Sequence, residues 1–163
     1  MSFGNAIASK PRTNSRSVGL PGWERHSEAE GKCWRIGIVD DHSIMRAVIR
    51  TIAEDAPDFN VAWSVASLAD ARRSMRQEVP DLLIVDLNLP DGTGYELLRE
   101  CALTPAPPKA LMISMQRGLE CAREALQCGA CGFLFKEASA VEFLTAINSV
   151  LSGTVYCRPS RDY

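Results

Sequence analysis

A chain of 163 residues, 46% of them hydrophobic, is long enough to bury one substantial core and short for several domains. Its apolar runs fall short of the ~18 residues that cross a bilayer, and Ala6-Ile7-Ala8 is too short an apolar stretch for a secretion signal, so a cytoplasmic protein without membrane insertion is expected. The net charge of −2 is unevenly spread, with 11 Lys and Arg against 16 Asp and Glu in residues 33–152, and an acidic body with no basic stripe argues against direct nucleic-acid binding.

Residues 1–32, rich in Ser, Gly, Pro, Asn and Arg and lacking periodicity, are expected to form a disordered amino-terminal extension. From Trp34 short apolar runs alternate with amphipathic stretches, the pattern of a covered parallel sheet. Trp34–Val39 reads as the first strand. The helix after it has Met45, Val48, Ile49 and Ile52 as its expected apolar stripe and stops at Pro57. Phe59–Val65 reads as the second strand, and Ser67-Leu68-Ala69-Asp70 as a capping box opening a helix to about Gln77, before Pro80.

Leu82–Val85 is a continuous aliphatic run suited to a central strand. A loop is expected over Asn88–Gly94, then a helix over Tyr95–Ala102 with Leu97, Leu98 and Cys101 inward. Ala110–Ser114, Leu119–Gln127 and Gly132–Phe135 read as strand, helix and strand. The last helix opens with the capping box Ser139-Ala140-Val141-Glu142, is expected to bury Val141, Leu144, Ile147 and Leu151, and ends at Gly153. The fold class is therefore α/β, a doubly wound five-stranded parallel sheet flanked by five helices, with a folded domain over 33–152 and a short tail over 153–163.

Six cysteines could make three disulfides, but nothing in the sequence points to an oxidising compartment. Cys128-Gly129-Ala130-Cys131 has C-x-x-C spacing without a second pair, so these thiols are expected to be reduced and structural.

In a doubly wound sheet the ligand crevice lies at the carboxyl ends of the strands, where strand order reverses. Asp40, Asp41, Asp86, Ser114 and Lys136 all fall at such ends. Gathered carboxylates repel one another unless a cation joins them, and Mg²⁺, which takes oxygen ligands and keeps several waters, suits an open acidic pocket. Lys136 adds a compact positive charge and Ser114 a hydroxyl, so the set fits phosphoryl transfer by positioning and charge neutralisation. Taken alone, Asp40-Asp41 serve equally well as helix-capping acids, Ser114 as a small strand-end residue and Phe133 as core. His42, a lone histidine at the mouth of the site, reads as a helix-start residue rather than a ligand.

Three segments together carry a resemblance: Val39-Asp40-Asp41-His42-Ser43-Ile44-Met45-Arg46, Val85-Asp86-Leu87-Asn88-Leu89-Pro90-Asp91-Gly92-Thr93-Gly94 and Gly129-Ala130-Cys131-Gly132-Phe133-Leu134-Phe135-Lys136. Over about residues 34–152 the chain resembles bacterial two-component response-regulator receiver domains of the CheY-like fold, and within them the NarL/FixJ type. The resemblance implies that Asp86 is the phosphoacceptor and that Asp40, Asp41 and Asp86 with the Asn88 backbone carbonyl hold Mg²⁺, Asp41 most directly. It implies that Ser114 is the switch hydroxyl, Lys136 the phosphate-pairing lysine and Phe133 the switch aromatic, and that Asn88 and Gln116 stand at positions that influence autodephosphorylation. Glu137 departs from the proline that many receivers place after the lysine.

The partners implied are a histidine kinase or phosphotransfer protein and, since the sequence ends at Tyr163 without the helix-turn-helix usual in this type, a downstream protein or a second copy. The implied protein is a switch rather than an enzyme, with only self-phosphorylation and autodephosphorylation. Two rivals stand beside it. A Mg²⁺-dependent aspartyl-phosphate hydrolase would commonly need a second Asp where Asn88 stands, and a phosphorylation-independent interaction module would leave the acid, serine and lysine set without a use.

Overall fold

A computed structural model describes residues 32–116 and 118–158. The expected extension through residue 31 lies outside the described residues. Lys32 belongs to the folded body: its ammonium stands 3.6 Å over the Trp34 ring and pairs with Asp81.

The main sheet is built from β1 (Trp34–Val39), β2 (Phe59–Val65), β3 (Leu82–Asp86), β6 (Lys109–Ser114), β7 (Gly132–Phe135) and β8 (Tyr156–Cys157). Their order is β2-β1-β3-β6-β7-β8 and every ladder is parallel. From β1 the chain moves outward to β2 and then returns to β3 on the other side, so strand order reverses between β1 and β3. The expected five strands are present. The sixth, β8, corrects the reading of residues 153–163 as a plain tail: Tyr156 N–H donates to the Cys131 carbonyl and Cys157 lies opposite Phe133. A second correction concerns the Asn88–Gly94 loop, which contains a two-rung antiparallel ladder of β4 (Asn88–Leu89) and β5 (Gly92–Thr93).

The helices α1 (Ser43–Glu54), α2 (Leu68–Gln77), α3 (Gly94–Ala102), α4 (Leu119–Gln127) and α5 (Ala140–Leu151) cover both faces of the sheet. Successive strand residues feed opposite layers, as the two-residue repeat of a strand requires. Leu82 and Ile84 pack with Ile49 and Ala53 of α1 and Phe143 and Ile147 of α5. Leu83 and Val85 pack with Leu68 of α2, Leu97 and Leu98 of α3 and Ala125 of α4. The middles of the central strands, Leu82–Val85 and Ala110–Ile113, are thus apolar because neither face meets water.

Two helix stripes differ from expectation. In α1 the buried residues are Ile49, Ile52 and Ala53, while Val48 sits at the rim, 45% exposed. In α5 the anchors are Phe143, Ala146, Ile147, Val150 and Leu151, and Val141 is exposed. The aromatic ring, one turn into the helix, fills the layer that Val141 was expected to fill. Both predicted caps form, with Ser67 accepting from Asp70 N–H and Ser139 from Glu142 N–H, but the reciprocal box is closed at Ser139, where Glu142 accepts from the backbone, while Asp70 accepts from the Ser67 hydroxyl. In a further box, at α3, Glu96 accepts from Thr93 N–H at 3.0 Å. Gly153 ends α5 at φ 88°, a conformation favoured by glycine. All six cysteines are free. Among the described residues no helix is long and apolar enough to cross a membrane.

Candidate functional site

The ends of β1, β3, β6 and β7 deliver five side chains to the crevice beside the strand-order reversal. Asp40 follows β1, Asp86 closes β3, Ser114 closes β6 and Lys136 follows β7. Among the described residues these four are the buried polar and charged ones: Asp40 and Ser114 are 0% exposed, Asp86 2% and Lys136 6%. Asp41, the fifth, sits at the solvent side of the group.

Lys136 is the hub. Its Nζ lies 2.7 Å from Asp40 Oδ2 and 2.8 Å from Asp86 Oδ2, so a single cation faces two buried carboxylates. Burial pushes the Asp86 carboxyl above its ordinary value, and Asp40 adds to the rise, while Lys136 and the Asn88 backbone pull against it. Removing Lys136 would strand both carboxylates in a poor solvent, whereas removing one carboxylate leaves Lys136 the other.

The rest of the chain holds this group in place by backbone contacts. Asp40 Oδ1 accepts from His42 N–H at 2.8 Å, and Arg46, one turn into α1, donates from Nη1 to the Asp40 carbonyl at 2.6 Å. Ser114 Oγ accepts from Gln116 N–H at 2.9 Å, which fixes the loop after β6 on the hydroxyl. Lys136 N–H donates to the Ser114 carbonyl, joining the last two strand ends.

A divalent cation is implied by the resemblance, and the donor set fits one. Asp40, Asp41, His42 and Asp86 each place a ligand atom so that all lie within 4.8 Å of one another. Asp40 Oδ2 is fully buried, and the ammonium that meets it at 2.7 Å is divided between two carboxylates. A carboxylate oxygen in that condition favours a cation beside it.

With this geometry in view, comparison with known families is decisive: the response regulator receiver domain matches residues 36–148. The chain belongs to the response regulator receiver family. The receiver is 34% identical over 119 residues to the response regulator UvrY of Escherichia coli K12, covering 73% of this chain and 55% of that protein. It thus spans about half the length of the curated relatives it matches. Among solved structures, a LuxR-family two-component response regulator from Aurantimonas superposes with a TM-score of 0.72 at 31% identity, over 77% of this chain and 89% of that one. The signal receiver domain of the NarL response regulator from Mycobacterium tuberculosis gives a TM-score of 0.71 at 24% identity, over 75% and 98%, and so shares the fold. Receivers of this family take up a phosphoryl group in two-component signalling and typically bind Mg²⁺ at an acidic cluster, the kind of cluster found here.

The structure brings together Asp40, Asp41, Asp86, Ser114 and Lys136 as the sequence suggested. Asn88 lies two residues beyond Asp86 at the start of β4, opposite Thr93, with its side chain exposed. Phe133 is buried among Met112, Ala122 and Ala125, in edge contact with Phe135 at 5.5 Å and 83°; it is core, and it sits on the strand that carries Lys136.

Three contributors escaped the sequence reading. His42 is the N-cap of α1, but it is more than a helix-start residue: its Nδ1 lies 2.6 Å from Asp41 and 3.1 Å from Asp40. Gly94 opens α3 so close to Asp86 that a Cβ there would collide with the Asp86 carbonyl. Asp91 accepts from Leu68 N–H and Ala69 N–H, capping α2 and anchoring the β4–β5 turn. The backbone hydrogen bonds at Ala69 and Leu68 hold its carboxyl below the ordinary range. For Gly94 and Asp91 the Asp-Gly-Thr-Gly run was the available signal, since closely spaced glycines mark a tight backbone approach.

Proposed function

We propose that this receiver accepts a phosphoryl group on Asp86 from the phosphohistidine of a histidine kinase or phosphotransfer protein, and passes the signal on through protein contacts. The observation that carries the reading is Lys136 shared between Asp40 and Asp86 in a buried pocket. Such a lysine is ready to exchange one carboxylate partner for a phosphoryl oxygen.

In the proposed step an Asp86 carboxylate oxygen attacks phosphorus, the O–P bond forms, and the P–N bond to the donor imidazole breaks, returning its electron pair to the nitrogen. Asp40, Asp41 and Asp86 with the Asn88 carbonyl would hold Mg²⁺, whose charge neutralises the phosphoryl oxygens. Lys136 then turns from Asp86 to a phosphoryl oxygen, and the Ser114 hydroxyl donates to another. Because Lys136 follows β7 and the Gln116 backbone rests on Ser114, those new contacts pull on the loops after β6 and β7, at the amino ends of α4 and α5. A population shift in those segments, with Phe133 as the buried element that must repack, is the proposed output. The proposed readers are a downstream protein or a second copy of the chain.

The receiver is read as a switch, with turnover limited to its own phosphorylation and dephosphorylation. Incubation with acetyl phosphate and Mg²⁺ should add one phosphoryl group per chain by intact-mass spectrometry, and Asp86→Asn should abolish it. Labelling that survives the substitution would overturn the assignment, and steady release of phenol from an aryl phosphate would favour a hydrolase.

A further inference from the structure

We propose that His42 is a nitrogen ligand of the divalent cation in the acidic pocket, and that it shifts the pocket's preference toward imidazole-favouring ions such as Co²⁺, Ni²⁺ and Zn²⁺. The inference deepens the metal site proposed above and rests on that reading. His42 Nδ1 stands 2.6 Å from Asp41 Oδ1, 3.1 Å from Asp40 Oδ1 and 3.4 Å from Lys136 Nζ. One ring nitrogen therefore points at the same spot as the carboxylates, within the 4.8 Å cluster. That spread is close to what ligands around one ion span at bonds of about 2.0–2.4 Å.

Two further observations separate this from a chance neighbour. The His42 backbone is locked to the pocket, since its N–H donates to Asp40 Oδ1 at 2.8 Å, and the ring is not used to cap α1. The ring is therefore placed over the acids without a helix-capping duty to hold it elsewhere. Independently, Asp40 Oδ2 lies fully buried on the pocket floor, where the Lys136 ammonium meets it at 2.7 Å and is shared with Asp86. Buried carboxylate oxygens that outnumber their one ammonium on the floor and a nitrogen at the mouth give the pocket a mixed donor set.

Chemistry then sets the preference. Mg²⁺ favours oxygen and water, whereas imidazole suits the later first-row ions, whose affinities rise from Mn²⁺ toward Cu²⁺. An exposed imidazole costs little to recruit, and the same side chain becomes a tether for the ion before any phosphoryl group arrives.

The test uses the full chain stripped of metal, its His42→Gln variant and Mn²⁺ followed by pulsed electron paramagnetic resonance. The expected result is ¹⁴N coupling on bound Mn²⁺ that disappears in His42→Gln, which leaves one of the chain's two histidines. Calorimetry should show Ni²⁺ affinity falling by about tenfold or more in the variant, the scale of losing one supporting contact at a metal, with Mg²⁺ affinity changed far less. Mn²⁺ bound without ¹⁴N coupling, or coupling that persists in His42→Gln, overturns the inference and leaves the pocket standing. Failure of wild type to bind Mn²⁺ or Mg²⁺ overturns the pocket reading as well.

Discussion

Asp81 and Asp86 lie at opposite ends of one strand and have opposite fates. Asp81, just before β3, accepts from the Arg35 backbone N–H at 2.9 Å and pairs with Arg35 and Lys32. Burial alone would raise its carboxyl, but the Arg35 hydrogen bond and the two cations outweigh it, and the group sits below the ordinary value. Asp86 has one cation, which it shares with Asp40, and burial carries it above the ordinary value. The first acid ties β1 to β3. The second is a cost to the fold, kept at the residue proposed to receive the phosphoryl group, in line with the tendency of perturbed carboxyls to gather at functional sites.

The largest effect that would sharpen this contrast is at Lys136. Lys136→Ala leaves Asp40 and Asp86 buried without compensation and should cost about 3–5 kcal/mol in urea unfolding at neutral pH without metal. Arg35→Ala at the other end, where the pair is surface-exposed, should cost about 1 kcal/mol or less. Equal losses would break the comparison.

Next in size is the response to metal. Mg²⁺ at a hundredfold excess over its dissociation constant should stabilise wild type by about 2.7 kcal/mol. The melting-temperature gain should shrink strongly in Asp86→Asn and persist in Asp81→Asn. A gain of equal size in all three proteins would place the ion elsewhere.

The smallest effect is a pair of opposite signs. Without metal at pH 7, Asp81→Asn should destabilise by about 1 kcal/mol, a hydrogen bond's worth, while Asp86→Asn should be neutral or stabilising. The pH dependence follows from the shifts. Asp81 is deprotonated more readily when folded, so its contribution is present above the ordinary carboxylate value and is lost as pH falls through the lower folded value. Asp86 keeps its proton to higher pH when folded. Its penalty is therefore full at neutral pH, shrinks as pH falls through the raised folded value, and is gone below the ordinary one. Melting curves of the two variants against wild type across pH 3–7 should converge toward acid; divergence would refute the assignment.

What the sequence made legible follows from strength of pattern. Leu82–Val85 announced a central strand because both faces are covered, and Asp40, Asp86, Ser114 and Lys136 were found because strand ends converge in a doubly wound sheet. Periodicity could not choose between Val48 and Ala53, or between Val141 and Phe143, because each helix carries apolar residues over more than its buried stripe. Tyr156–Cys157 is too short for any alternation to show, and its strand exists through pairing with β7. His42 was passed over because a histidine at a helix start has no spacing signal; its role depends on where the ring turns. Lys32 was assigned to the extension on composition, although its contacts are with Trp34 and Asp81.

That two-residue strand has a consequence for handling the protein. Without β8, the row of backbone groups on the outer side of β7 would lie open, and an open edge is a template for pairing with another chain. Tyr156 and Cys157 act as a guard strip, held by the Tyr156 backbone and by Arg158, whose Nη1 donates to Glu142 at 2.9 Å. A preparation cut back to Gly153 would keep every residue of the phosphoryl pocket and would still trade colloidal stability for a sticky edge.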